Sequence, residues 1–194
     1  VASEKSISIS REEGKVLLHP FDDPHIIVGH ASIAREVLQE LDARGHKKPN
    51  TVLSSVGGGG LLAGLALGFQ DAEIIPVEPE GYDSFGQSLK SNSATTITLE
   101  GKTICDALQA PRPGDNPFAC LKKTGAGVPI VVNNKDVREA MTLAFDMRRI
   151  YSEPSGAVSL AGLLKHSDRF EGRDVVVIIT GGNIEAKDFA KLLL

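Results

Sequence analysis

Four consecutive glycines, Gly57, Gly58, Gly59 and Gly60, separate two apolar runs. Before them, Thr51-Val52-Leu53 reads as a buried strand. After them, Leu61 to Phe69 is apolar and rich in helix formers. The glycines therefore sit where a strand turns into a helix. Without Cβ atoms, the backbone N–H groups there can converge on an anion. The helix adds free N–H groups and the positive end of its dipole. This is a phosphate cradle without a charged side chain, suited to a phosphate that belongs to a held cofactor rather than one being transferred. The plainer reading is a tight turn packed under a sheet, but one or two glycines would serve that purpose.

Other phosphate sites fit less well. A P-loop would need Lys directly after Gly64, and Leu65 stands there. A dinucleotide fingerprint finds its first two glycines in Gly57 and Gly59, but Leu62 holds the third place. Glu78 lies about 20 residues further on, where a ribose-binding acid would sit, so a nucleotide-binding domain stays open as an alternative.

Along the rest of the chain, strands alternate with helices. Residues 4–13 read as a helix end. Val16-Leu17-Leu18 reads as a short strand running into the turn-rich His19-Pro20-Phe21-Asp22-Asp23-Pro24. Gly29 to Arg44 is an amphipathic helix with Ile33, Val37, Leu38 and Leu41 on one face, Ser32 near its start and Gly45 after its end. Glu73 to Pro79 is a strand ended by proline. Residues 80–125 are less regular, with a helix expected over Asp83 to Lys90, a strand over Thr95 to Leu99 and a helix over Asn116 to Lys123. Val128 to Val132 is a strand, and Asn133 or Asn134 caps a helix to about Arg149. A helix follows over Ala157 to Lys165. Val175 to Ile179 is a β-branched run, as in a parallel strand covered on both faces. Thr180-Gly181-Gly182-Asn183 ends it, and a last helix runs from Glu185 to Leu193. The expected fold is α/β, a mostly parallel sheet with helices on both faces. Both glycine loops, 57–60 and 181–182, leave carboxyl ends of strands and should face one crevice.

Composition narrows the partners. A net charge of −4 without a block of basic residues argues against nucleic acid. Cys105 and Cys120 have no metal or redox spacing and read as buried thiols. No apolar run approaches the roughly 18 residues of a membrane span and no secretory signal appears, so no membrane partner and a cytoplasmic location are expected.

Five motifs in order carry a resemblance. They are His19-Pro20-Phe21-Asp22-Asp23-Pro24 with Gly29-His30-Ala31-Ser32-Ile33-Ala34, the loop Ser55 to Gly64, Val77-Glu78-Pro79, Glu153-Pro154-Ser155-Gly156-Ala157, and Thr180-Gly181-Gly182-Asn183. Together they resemble the serine/threonine dehydratases and serine racemases, the fold-type-II enzymes that use pyridoxal 5'-phosphate. The resemblance implies that Gly57, Gly58, Gly59, Gly60 and the N–H of Leu61 hold the cofactor phosphate. It implies that Thr180 hydrogen-bonds the pyridine nitrogen and that Glu153 orients the wall beside the ring. Glu78 matches a first ligand of a divalent cation site, Mg or Ca, found in some members. The second carboxylate of that site would fall at Ser84, with Asp83 one place off.

Departures bear on the substrate. His30-Ala31-Ser32 stands where the family usually has Gln-Gly-Thr, and Asp106-Ala107 where it often has Asp-Gly. No lysine here has the family's Schiff-base context, so no catalytic residue is assigned in this chain and that lysine is expected upstream. The chain then reads as a C-terminal portion, with residues 1–23 ending the small domain and 24–194 belonging to the large one. It would work as a homo-oligomer or paired with the missing N-terminal half. The expected activity of the whole is elimination from a hydroxy-amino acid, threonine or serine, giving a 2-oxo acid and ammonia. Racemisation on the same scaffold, or a non-catalytic phosphate- or nucleotide-binding regulatory domain, are the alternatives.

Overall fold

Strand β1, Thr51–Ser55, is buried along its whole length, and the sheet is built around it. The computed structural model describes residues 2–193. Beside β1 lie β2 (Glu73–Pro79), β3 (Ile130–Val132) and β4 (Val175–Val177), in the order β3-β2-β1-β4. All three pairings are parallel, with Leu53 opposite Ile75 on one side and Val177 on the other.

Alternation along the strands divides two cores. Val52 and Ile74 face one, with residues of α2 (Pro24–Ala43), α3 (Gly60–Gly68) and α5 (Asp115–Thr124). Leu53, Ile75 and Val77 face the other, with residues of α6 (Asn134–Arg148), α7 (Pro154–Lys165) and α8 (Ala186–Leu192). That is the period-2 signature of a sheet covered on both faces. Each fully buried Leu or Ile contributes roughly 1.5–3 kcal/mol. Helices α1 (Ala2–Glu13) and α4 (Ser84–Ser91) complete the chain.

Caps explain several boundaries. Helix α2 begins five residues before the expected Gly29, because Asp23 accepts the N–H of His25 at 2.7 Å and Pro24 takes the first turn. Helix α7 likewise starts at Pro154. Asn133 caps α6, and its own N–H donates to Asp136 at 2.9 Å to close a capping box.

Two expected strands are absent among the described residues. Val16-Leu17-Leu18 is irregular, with Val16 87% exposed, and no described strand pairs with it. Residues 95–99 are held as loop instead: the Thr95 N–H donates to Ser88 Oγ and the Ile97 N–H to the Pro111 carbonyl, both at 2.9 Å. The β-branched run forms β4, but it is half-buried at the edge of the sheet rather than covered on both faces.

Candidate active site

Chain order reverses between β1 and β4. From β1 the chain builds outward through β2 and β3, and β4 returns to the other side of β1. Ligands in such sheets sit outside the carboxyl ends at this switch point. The loop after β1 carries the glycines and the segment after β4 carries Thr180. A cavity of about 230 Å³ lies between them, lined by Gly57–Leu62 on one side and Thr180, Glu153 and Ser155 on the other.

Close neighbours hem in the glycines, Phe21 twice and Phe85 once. A Cβ on Gly58 would overlap the Phe21 ring, and one on Gly60 would come within 2.8 Å of the Phe21 carbonyl oxygen. A Cβ on Gly59 would lie 2.6 Å from the Phe85 ring, and its φ of +96° is itself a glycine conformation. The Gly58 carbonyl is taken by the Gly114 N–H at 2.9 Å. The N–H groups behave differently. Among the described residues no intrachain bond takes up those of Gly57, Gly58, Gly59, Gly60 or Leu61. The first intrahelical bond of α3 runs from the Ala63 N–H to the Gly59 carbonyl, so the helix start leaves its donors free. Neighbouring groups thus pack tightly against the loop while its donors stay unspent.

The opposite wall is set by α7. Gly156 admits the Thr180 carbonyl where any Cβ would overlap it, and the Thr180 N–H donates to the Gly156 carbonyl at 3.3 Å. Glu153 holds the segment behind Thr180 at two points. Its N–H donates to the Gly181 carbonyl, and its carboxylate accepts the Asn183 N–H, each at 3.0 Å. Ser155 Oγ accepts the Ala107 N–H at 3.1 Å and fixes the loop that carries Ala107 and Leu108 along the cavity.

Gly57, Gly58, Gly59, Gly60, Leu61, Glu153 and Thr180 are therefore brought together in one cavity. Glu78 is not among them. It is fully buried, and its two oxygens accept the N–H groups of Phe85 and Gly86 at 2.8 Å each. Burial pushes its pKa up to about 8 against the opposing pull of those two N–H groups. Among the described residues, no group of three or more His, Cys, Asp or Glu side chains could hold a metal ion. Ser84 donates its hydroxyl to the Ala110 carbonyl at 2.9 Å, and Gln87 donates to the Asp83 carboxylate at 3.2 Å.

Pro20, Phe21, His30, Ser155 and Ala107 also line the cavity. The sequence singles out their motifs but assigns them no role. A ring packed over a glycine leaves no periodic trace in sequence. Ser155 does leave a signal, because it directly follows the Glu153-Pro154 pair that starts a helix.

Free N–H groups at a glycine turn, with a hydroxyl residue across the cavity, fit the phosphate and ring of pyridoxal phosphate. The chain belongs to the family of pyridoxal-phosphate-dependent enzymes, which it matches over residues 2–181. It is 30% identical to L-threonine ammonia-lyase of Thermotoga maritima, over 99% of this chain and 47% of that protein. It is 28% identical to a serine racemase of Schizosaccharomyces pombe, over 95% of this chain and 56% of that one. Among solved structures, the processed form of threonine deaminase isoform 2 from Solanum lycopersicum superposes with a TM-score of 0.86 at 29% identity, covering 96% of this chain and 54% of that one. The chain thus spans about half the length of the curated relatives it matches. No described helix is long and apolar enough to cross a membrane.

Proposed function

We propose that this chain supplies the phosphate-binding and ring-nitrogen walls of a pyridoxal-phosphate-dependent ammonia-lyase acting on a 3-hydroxy-amino acid, threonine or serine. The observation that carries the reading is the row of unspent N–H groups at Gly57–Leu61 facing Thr180 across the sheet's switch point. In this reading residues 1–23 end the small domain, and residues 24–194 belong to the large one.

Bound pyridoxal phosphate supplies an electron sink for the loss of an amino acid's α-proton. The residues of this chain do the holding. Gly57, Gly58, Gly59, Gly60 and Leu61 donate to the phosphate, and the dipole of α3 favours its charge. Thr180 hydrogen-bonds the pyridine nitrogen. A hydroxyl cannot stabilise a protonated ring as a carboxylate does, so the sink is weaker. A neutral hydroxyl at this wall would suit β-elimination. Glu153 keeps Thr180 in register by holding Gly181 and Asn183. The products of the whole reaction are a 2-oxo acid and ammonia.

The serine racemase among the relatives favours a second reading, racemisation at the same site. The test is one preparation of the full-length protein with added cofactor. A visible absorbance band together with 2-oxo acid from L-threonine or L-serine supports the lyase. Formation of D-serine without oxo acid replaces it with the racemase. Failure to take up cofactor would leave a non-catalytic binding domain.

A further inference from the structure

We propose that His30 completes the glycine cradle by giving the cofactor phosphate a side-chain N–H. The inference rests on the reading of this cavity as the cofactor site. Two observations meet at this residue. Its Nδ1 is shut off from solvent and has no hydrogen-bond partner in the protein. And His30 lines the same cavity as Gly57–Leu61, on the side of α2 and Phe21.

A buried ring nitrogen without a partner is costly, because water has been removed and nothing replaces it. The cavity that His30 lines is the open space beside it. Among its described lining residues none is Lys or Arg, and His30 is the one whose side chain can carry positive charge. A phosphate ester held by backbone N–H groups alone has donors but no counter-charge. An imidazole N–H adds a charge-capable donor there, and hydrogen bonds to charged groups are about twice as strong as neutral ones.

The placement comes from helix packing. Gly64 of α3 lets α2 approach so closely that a Cβ there would overlap the Cβ of His30. Gly64 stands one helical turn, about 5.4 Å, beyond Gly60. The His30 stem is therefore held against α3 about one turn beyond the donors that open it. The Phe21 ring packs against Gly58 beside it.

The test compares two ligands that differ only in the phosphate, pyridoxal phosphate and pyridoxal, on the full-length protein. His30→Ala should weaken pyridoxal phosphate binding about tenfold or more and leave pyridoxal binding within about twofold. The 31P resonance of the bound cofactor should shift relative to wild type. His30→Asn places an amide N–H near the Nδ1 position and should recover most of the lost affinity. Equal weakening of both ligands, or an unchanged 31P resonance in His30→Ala, would overturn the proposal and make His30 a packing residue. Absence of cofactor uptake by the wild type would overturn the cofactor reading itself, and this proposal with it.

Discussion

Asp22 and Asn116 are 94 residues apart in sequence and are joined by two hydrogen bonds. The Asn116 N–H donates to Asp22 Oδ1 at 2.8 Å, and the Asn116 side-chain amide donates to the Asp22 carbonyl at 3.0 Å. The next residue, Asp23, caps α2. Two adjacent carboxylates thus hold the starts of two helices, α5 and α2. The chain between them and His19 is pinned, and Phe21 is pressed onto the glycine loop. The His19–Pro24 motif thereby shapes the cavity, which Pro20 and Phe21 line.

Removing the first of these carboxylates should be felt at the cradle. Asp22→Ala leaves the Asn116 N–H without its cap and should cost about 1 kcal/mol of stability. It should also loosen Phe21 and weaken cofactor binding. Urea melts and a cofactor titration on the same preparation check both. Loss of stability with unaltered cofactor affinity would show that Phe21 does not depend on Asp22.

The contact between Phe21 and Gly58 predicts a coupling. Gly58→Ala drives a methyl group into the Phe21 ring and should destabilise the protein by roughly 1–3 kcal/mol. Phe21→Ala removes the obstacle, so in the double variant the Gly58→Ala cost should shrink by at least about 0.5 kcal/mol. A double-mutant cycle measures this, and strictly additive effects would sink it. Gly58→Asp should abolish cofactor phosphate binding in either background, because its carboxylate repels the anion.

Glu78 predicts a pH dependence of stability. Its folded pKa is raised from an ordinary 4.5 to about 8, chiefly by burial. Between those values the folded state holds a proton that the unfolded state has lost. Stability therefore falls as pH rises, with the contribution fully present below 4.5 and lost through about 8. Glu78→Gln should flatten this slope. It should also cost about 1 kcal/mol at low pH, since an amide NH₂ cannot accept one of the two N–H bonds. Urea midpoints from pH 5 to 8 decide it; a wild-type slope as flat as that of the variant would show that Glu78 does not titrate in this range.

Sequence and structure agree best where chemistry leaves a local trace. Four adjacent glycines between a strand and a helix admit few geometries, whereas the helix expected from Ala157 begins three residues earlier, at Pro154. The misses are long-range. Val175–Val177 has the composition of a covered strand, yet whether a strand is central or at an edge depends on partners elsewhere in the chain. Val16-Leu17-Leu18 has strand-forming residues but no described partner strand. The link from Asp22 to Asn116 has no periodicity to read. His30 sits in an ordinary amphipathic helix, and only its unpartnered nitrogen and the cavity beside it mark it out. Glu78 matches a cation site by its position in sequence, while its burial and its two N–H partners tie it to the start of α4.

Thr180 offers the most direct test of the proposed contact with the ring nitrogen. Its backbone is tied to Gly156 and its neighbour Gly181 to Glu153, so replacing the side chain should leave the segment in place. Thr180→Ala removes one uncharged hydrogen bond, about 0.5–1.5 kcal/mol net. It should keep the fold and the phosphate affinity while lowering kcat/KM by roughly 2- to 13-fold, that energy read as a rate ratio. Thr180→Asp acts in the opposite sense. A carboxylate at that position favours a protonated ring nitrogen, which should move the visible band of the bound cofactor and change the ratio of oxo acid to racemised amino acid. The absorbance spectrum and the product ratio are measured on the same full-length preparations. If both variants keep the wild-type spectrum and product ratio, Thr180 does not contact the ring. The wall at the carboxyl end of β4 would then bind the cofactor through backbone groups alone.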